Sequence, residues 1–222
     1  MLRRGLRAAL TTSAAMTTPR VLLFDLAGVL LDFGGVESLH ALSKGRVDAD
    51  AFARFWSRSP WADALYCGRC SPEAFAAGAV DEFSLAVSPA EFLLAFRAWL
   101  RGPYPGAFEL LGELRPRYQL ACLSNTNTLD VQRFRDELRL QDAFDRCFFS
   151  NEIGLRKPDA DCYRCVVEGL GVRADEIVFF DDSLECVDGA RAVGLHAQQV
   201  VGLDELRAAL RHVNVVGDGD SR

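Results

Sequence analysis

The sequence predicts an α/β protein: a parallel sheet with helices on both sides and a helical insert placed directly after the first strand. Three observations carry that prediction. Four short apolar runs each end in polar residues, helical patterns lie between them, and strand signals vanish between about Phe33 and Gly102. Strands alternating with helices favour parallel pairing through right-handed crossovers.

The first strand is Val21–Phe24, and it runs into Asp25. A carboxylate closing so apolar a run needs a compensating charge, because burying it unpaired is costly. Asp25 leads into Leu26-Ala27-Gly28, a glycine-containing turn at the strand end, where open α/β sheets form their active sites. The insert comes next, rich in aromatics such as Phe52, Phe55, Trp56, Phe75, Phe92, Phe96 and Trp99. Most of these are expected to form the insert's own core, with one or two facing a cleft. Gly102-Pro103 and Pro105-Gly106 mark the return hinge.

A helix over Ala107–Leu114 leads to the second strand, Gln119–Leu123, which delivers Ser124-Asn125-Thr126-Asn127. After a helix at Val131–Leu138, the third strand, Cys147–Phe149, delivers Ser150-Asn151-Glu152. A helix over Ala160–Leu170 precedes the fourth strand, Ile177–Phe180, and Asp181-Asp182-Ser183. The helix Glu185–Val193, a fifth strand at His196–Val201 and a last helix at Leu203–Val213 complete the pattern. The expected division is a core of residues 19–33 and 103–213, a helical cap of residues 34–102, and tails at 1–18 and 214–222.

Composition narrows the function classes. The chain has 222 residues, half of them hydrophobic, and a formal charge of -6, which argues against a nucleic-acid binder. No apolar run approaches the ~20 residues that span a membrane, so no membrane partner is expected. Of 25 basic residues only Lys44 and Lys157 are lysine. Residues 1–15 carry Arg3, Arg4 and Arg7 and no acid, which fits a transit peptide; a start at Met16 fits a cytoplasmic protein. The expected location is therefore cytoplasmic, or mitochondrial if the source is eukaryotic and that segment is an address. Seven cysteines include the pairs Cys67/Cys70 and Cys162/Cys165, spaced too far apart for a zinc ribbon.

Together the strand ends supply what displacement at phosphorus requires. Asp25 would be the nucleophile, forming an aspartyl phosphate that water then hydrolyses. Ser124 and the backbone amides of Asn125 and Thr126 would hold phosphate oxygens at a strand-to-helix turn. Lys157 would neutralise charge shared by nucleophile and phosphoryl group. Asp182, with Asp181 in support, would complete a site for Mg²⁺, a cation that favours carboxylates, waters and phosphate oxygens. The three histidines, His40, His196 and His212, fall in no ligand spacing.

Four segments in order resemble the motifs of the haloacid dehalogenase-like (HAD) hydrolase superfamily: FDLAGVLLD at Phe24–Asp32, LSNTN at Leu123–Asn127, GLRKP at Gly154–Pro158 and FFDDSLECVDGARAVG at Phe179–Gly194. Within it the chain is most similar to the branch of α-D-glucose-1-phosphate phosphatase and the N-terminal phosphatase domain of soluble epoxide hydrolase. The resemblance implies a three-layer, Rossmann-like core and Mg²⁺-dependent hydrolysis of phosphate monoesters, with a small phosphorylated metabolite or sugar phosphate as substrate.

The chain departs from the family pattern at two positions. Most phosphatases of the superfamily carry an aspartate two residues after the nucleophile, which protonates the leaving oxygen. Ala27 cannot do this, although its backbone carbonyl is the atom the family uses to bind metal. Loss of general acid catalysis costs ~10²–10⁴-fold, least for leaving groups that need little protonation. Cys186 stands where Asn or Asp is common, and a thiol is a poor partner for Mg²⁺. These changes keep open a catalytically weak or silent binding protein. A dehalogenase would use the same nucleophile on carbon. A phosphonatase would need Lys44 as its cap lysine.

Overall fold

The computed structural model describes residues 18–212. The tails expected at 1–18 and 214–222 lie outside them, Thr18 excepted, as does Val213.

Strand β1 (Val21–Phe24) is buried along its whole length, as a strand with apolar side chains on both faces must be. It lies between β4 (Gln119–Ser124) and β6 (Ile177–Asp181), with β5 (Arg146–Phe149) and β7 (His196–Gln199) at the edges. Pairing is parallel throughout, with Phe24 level with Cys122 on one side and Phe180 on the other. This is the predicted α/β class. Leu22, Phe24, Leu120, Cys122, Val178 and Phe180 point to one face, against α6 (Ala107–Leu114), α7 (Thr128–Asp136), α8 (Leu140–Ala143) and α12 (Gly202–His212). The alternate residues Val21, Leu23, Ala121, Leu123, Ile177 and Phe179 meet α10 (Ala160–Leu170) and α11 (Leu184–Ala192) on the other.

The insert holds α1 (Gly35–Leu42), α2 (Ala49–Arg58), α3 (Pro60–Tyr66), α4 (Pro72–Glu82) and α5 (Pro89–Arg97). Ser-Pro occurs three times there and opens a helix each time, with the Ser59, Ser71 or Ser88 hydroxyl accepting an orphan amide and the proline at the first helical position. Phe55, Phe75, Phe92, Phe96 and Trp99 cluster between these helices, the core expected for the insert.

One expectation about this region fails. The insert is bounded by an antiparallel ribbon of β2 (Leu31–Phe33) and β3 (Leu100–Pro103), where no strand is predicted. Asp32 faces Gly102 and Leu31 faces Pro103. Gly, Pro and Asp are poor strand formers, and proline is tolerated here because the two-stranded ribbon has free edges. Of the residues expected to mark the return hinge, Gly102 and Pro103 are ladder residues, while Pro105 and Gly106 lie between the ribbon and α6. Elsewhere the differences are at element ends or are short extra helices. Helix α7 starts three residues earlier than expected because the Asn127 side chain accepts the amides of Leu129 and Asp130. The short helices α8 and α9 (Ser150–Ile153) are unpredicted.

Candidate active site

The site lies where the chain leaves β1 between its two neighbours, the crevice position of an open parallel sheet. The Asp25 amide donates to the Phe180 carbonyl at 2.8 Å, so the ladder continues one residue past the strand and fixes the carboxylate. The ends of β4 and β6 bring Ser124 and Asp181 alongside, both buried.

Lys157 compensates the charge that the sequence leaves on Asp25. Its Nζ lies 2.8 Å from Asp25 Oδ1 and 2.6 Å from Asp181 Oδ2, with all three side chains at least nine-tenths buried. Burial alone would lower the lysine, but Asp181 and Asp25 outweigh it and hold the ammonium well above its ordinary value. Burial pushes the Asp25 carboxyl up to about 7; Lys157 pulls against this, and Asp181 and Asp182 add to the rise.

Asp181 does not stand free to support a metal alone. One of its oxygens holds Lys157 and the other accepts the Ser183 amide at 2.8 Å. Asp182 is the most open of the three acids, and burial and Asp181 push it up to about 6. A side chain at position 28 would collide with it, since a Cβ on Gly28 would lie 2.6 Å from Asp182 Oδ2, and Gly28 also has φ +83°. Glycine in this turn is therefore a condition for bringing Asp182 beside Asp25.

Oxygens of Asp25, Asp181 and Asp182 lie within 4.8 Å of one another. Three carboxylates face one ammonium, and all the donors are hard oxygens, so the set fits a divalent cation such as Mg²⁺. Ala27 borders the same cavity. The Cys186 thiol also reaches the cavity, but burial pushes it up to about 12, so it stays neutral and adds no charge.

Ser124 and Asn125, the residues expected to hold phosphate, line the cavity. Their neighbours are used differently. The Asn125 side chain is committed to the lysine segment: Nδ2 donates to the Lys157 carbonyl, and Oδ1 accepts the Lys157 amide, both at 2.9 Å. The Thr126 amide, expected to hold phosphate, donates instead to Ser150 Oγ at 2.9 Å. Ser150 is fully buried and ties the end of β4 to the end of β5. Of the two amides expected to hold phosphate, Thr126's is thus taken.

Sequence reasoning missed Arg156. Its Nη2 donates to the Trp56 carbonyl at 2.6 Å, its Nη1 lies 3.7 Å from Asp63 Oδ1, and its guanidinium sits 5.5 Å from the centre of the Tyr66 ring. It links the core to α2 and α3 of the insert. The signal was an arginine directly before the lysine, and its reach of 100 residues hid the partner. Asp130 and Tyr66 also border the cavity without having been singled out. Lys44, the cap lysine a phosphonatase would need, is exposed in the left-handed turn after α1 and is absent from the lining of this cavity.

The cavity has a volume of about 400 Å³, the size of a small-molecule site. Among the described residues no helix is long and apolar enough to cross a membrane.

A phosphatase of Mycobacterium tuberculosis is 35% identical over 109 residues, 48% of this chain and 50% of that protein. An (S)-2-haloacid dehalogenase of Xanthobacter autotrophicus is 32% identical over 125 residues, 55% and 49% of the two chains. The chain thus spans about half the length of these curated relatives. A HAD family enzyme of Bacteroides thetaiotaomicron, solved in complex with magnesium and inorganic phosphate, has a similar fold: the TM-score is 0.66 at 23% identity, over 82% of this chain and 93% of that one. A family model described as haloacid dehalogenase-like hydrolase matches residues 19–194. The chain belongs to the haloacid dehalogenase-like hydrolase family.

Proposed function

We propose that this protein is a Mg²⁺-dependent hydrolase of phosphate monoesters that works through an aspartyl phosphate on Asp25, with a small phosphorylated molecule as substrate. The observation that carries the proposal is Lys157 Nζ held between Asp25 and Asp181, in a cluster whose third carboxylate, Asp182, has no ammonium of its own. Asp25, Asp181 and Asp182, with the Ala27 carbonyl, would hold the cation. The chemistry such an ion supplies when bound is neutralisation of the phosphoryl charge beside an anionic nucleophile.

The chain's own residues do the rest. Ser124 and the Asn125 amide receive phosphate oxygens at the end of β4. The ionised Asp25 oxygen attacks phosphorus and the ester oxygen leaves. Water then opens the acyl phosphate, returning the carboxylate and releasing inorganic phosphate. Lys157, held as an ammonium by two carboxylates, offsets charge on nucleophile and phosphoryl group in both steps. Membership of the glucose-1-phosphate phosphatase and epoxide hydrolase phosphatase branch is part of this proposal.

The likeness to a haloacid dehalogenase supports a second reading, attack of the same Asp25 oxygen on carbon. Phosphate release across a panel of phosphorylated metabolites, with Mg²⁺ or with chelator, and chloride release from 2-chloropropionate separate the two. Metal-dependent phosphate release is expected. Chloride release that persists in chelator, with no phosphate release, would replace the phosphatase by a dehalogenase.

A further inference from the structure

The floor of the cavity is polar, but the walls above it are not. Phe33, Phe52, Trp56, Tyr66 and Phe96 from the insert and its ribbon, with Phe134 from α7, surround the space over Asp25 and Ser124. Trp56 stacks on Tyr66 with ring centres 4.8 Å apart, so this part of the wall is a continuous aromatic surface. Against six rings the same wall offers few donors. The Ser57 hydroxyl donates to the Arg54 carbonyl, and the Trp56 indole N–H is buried with no hydrogen-bond partner among the described residues. A polyol would lose several hydrogen bonds to water on entering and recover few of them.

Charge points the same way. The cations in the described lining are Lys157 and Arg156, and both are committed. Lys157 serves Asp25 and Asp181, while Arg156 serves the Trp56 carbonyl, Asp63 and the Tyr66 face. A second phosphate or a carboxylate on the substrate would find no free positive side chain. It would meet Asp130, whose carboxylate accepts the Asn127 amide at 2.7 Å and borders the cavity.

We infer that the site takes monophosphates of apolar alcohols or phenols, an aromatic or branched hydrocarbon group carrying one phosphate and no second anion. This rests on the phosphatase proposal and narrows it away from sugar phosphates, phosphorylated acids and bisphosphates. Burying hydrocarbon against such a wall is worth about fourfold in affinity per methylene.

The test is a panel in which the leaving group is always a primary alcohol, so that the effect of Ala27 is held nearly constant. On the full chain with Mg²⁺, kcat/KM for hexyl and 2-phenylethyl phosphate is expected to exceed that for ethyl phosphate and glucose 6-phosphate by at least tenfold, with 2-phosphoglycolate the poorest. Equal or better turnover of glucose 6-phosphate or phosphoglycolate would overturn the substrate class and leave phosphatase activity standing. A parallel calorimetric titration uses non-hydrolysable phosphonates. 2-Phenylethylphosphonate should bind at least tenfold more tightly than 2-hydroxyethylphosphonate or phosphonoacetate. That ranking without turnover of any ester would refute the hydrolysis and keep the apolar preference; a flat ranking would refute the preference itself.

Discussion

Asp25→Asn separates the chemical role of the carboxylate from its cost to the fold. The change is nearly isosteric and leaves Lys157 with its 2.6 Å partner Asp181. The Asp25 carboxyl is raised from 3.8 to about 7 by burial and by the neighbouring acids, despite Lys157 at 2.8 Å. A carboxyl whose folded value lies above its unfolded value favours folding when protonated. Its stabilising contribution is therefore fully present below about pH 4 and lost as pH rises through about 7. The displacement corresponds to at most about 4 kcal/mol against the ionised folded protein at pH 8 without metal. Asparagine carries no such cost. At about 2–4 °C per kcal/mol for a chain of this size, the variant should melt up to ~8–16 °C higher at pH 8 in chelator. The gap should close toward pH 4, where both side chains are neutral. Mg²⁺ should raise the wild-type Tm more than the variant's, and phosphate release by the variant should fall below detection because an amide is not a competent nucleophile. Thermal melts at the two pH values, in chelator and in Mg²⁺, give all these differences. A variant that melts at or below wild type at pH 8 in chelator would refute the account of crowded carboxylates, and turnover by a folded variant would remove Asp25 from the mechanism.

Three further outcomes follow from the same geometry. Asp182→Ala should abolish both Mg²⁺ dependence and nearly all activity, because it removes the one carboxylate of the cluster not paired with Lys157; full activity in excess chelator would sink the metal site. Asn125→Ala should cost ~1–3 kcal/mol of stability by stranding the Lys157 amide and carbonyl, and should lower kcat more than it changes KM; Asn125→Asp, which keeps an acceptor for the amide, should recover part of both. Because Ala27 cannot protonate the leaving oxygen, single-turnover phosphorylation should depend steeply on leaving-group pKa, with aryl, acyl and anomeric phosphates far ahead of alkyl ones, and Ala27→Asp should narrow the gap; a flat dependence would show that another acid protonates the leaving group.

The candidate site was legible in the sequence because its residues sit at strand ends. Asp25, Ser124 and Asp181 each close a short apolar run, and parallel winding leaves no other place for those ends than one edge of the sheet. Lys157 was legible by a different route, as the one lysine beside a proline in an arginine-rich chain. Its support was not. The Asn125 clamp joins residues 32 apart and the Arg156 bond to Trp56 joins residues 100 apart, and no local pattern records such pairs. The ribbon Leu31–Phe33 with Leu100–Pro103 was hidden for the same reason, since each half is short and poor in strand formers. The wall of the cavity was least legible of all. Phe52 and Phe96 belong both to the core of the insert and to the cavity lining, so each ring meets the same apolar requirement twice. Hydrophobic periodicity records that a face is dry and not what dries it. A packed helix and an open cavity leave the same mark on the sequence, and only the folded insert, with Trp56 laid against Tyr66 on the cavity wall, tells them apart.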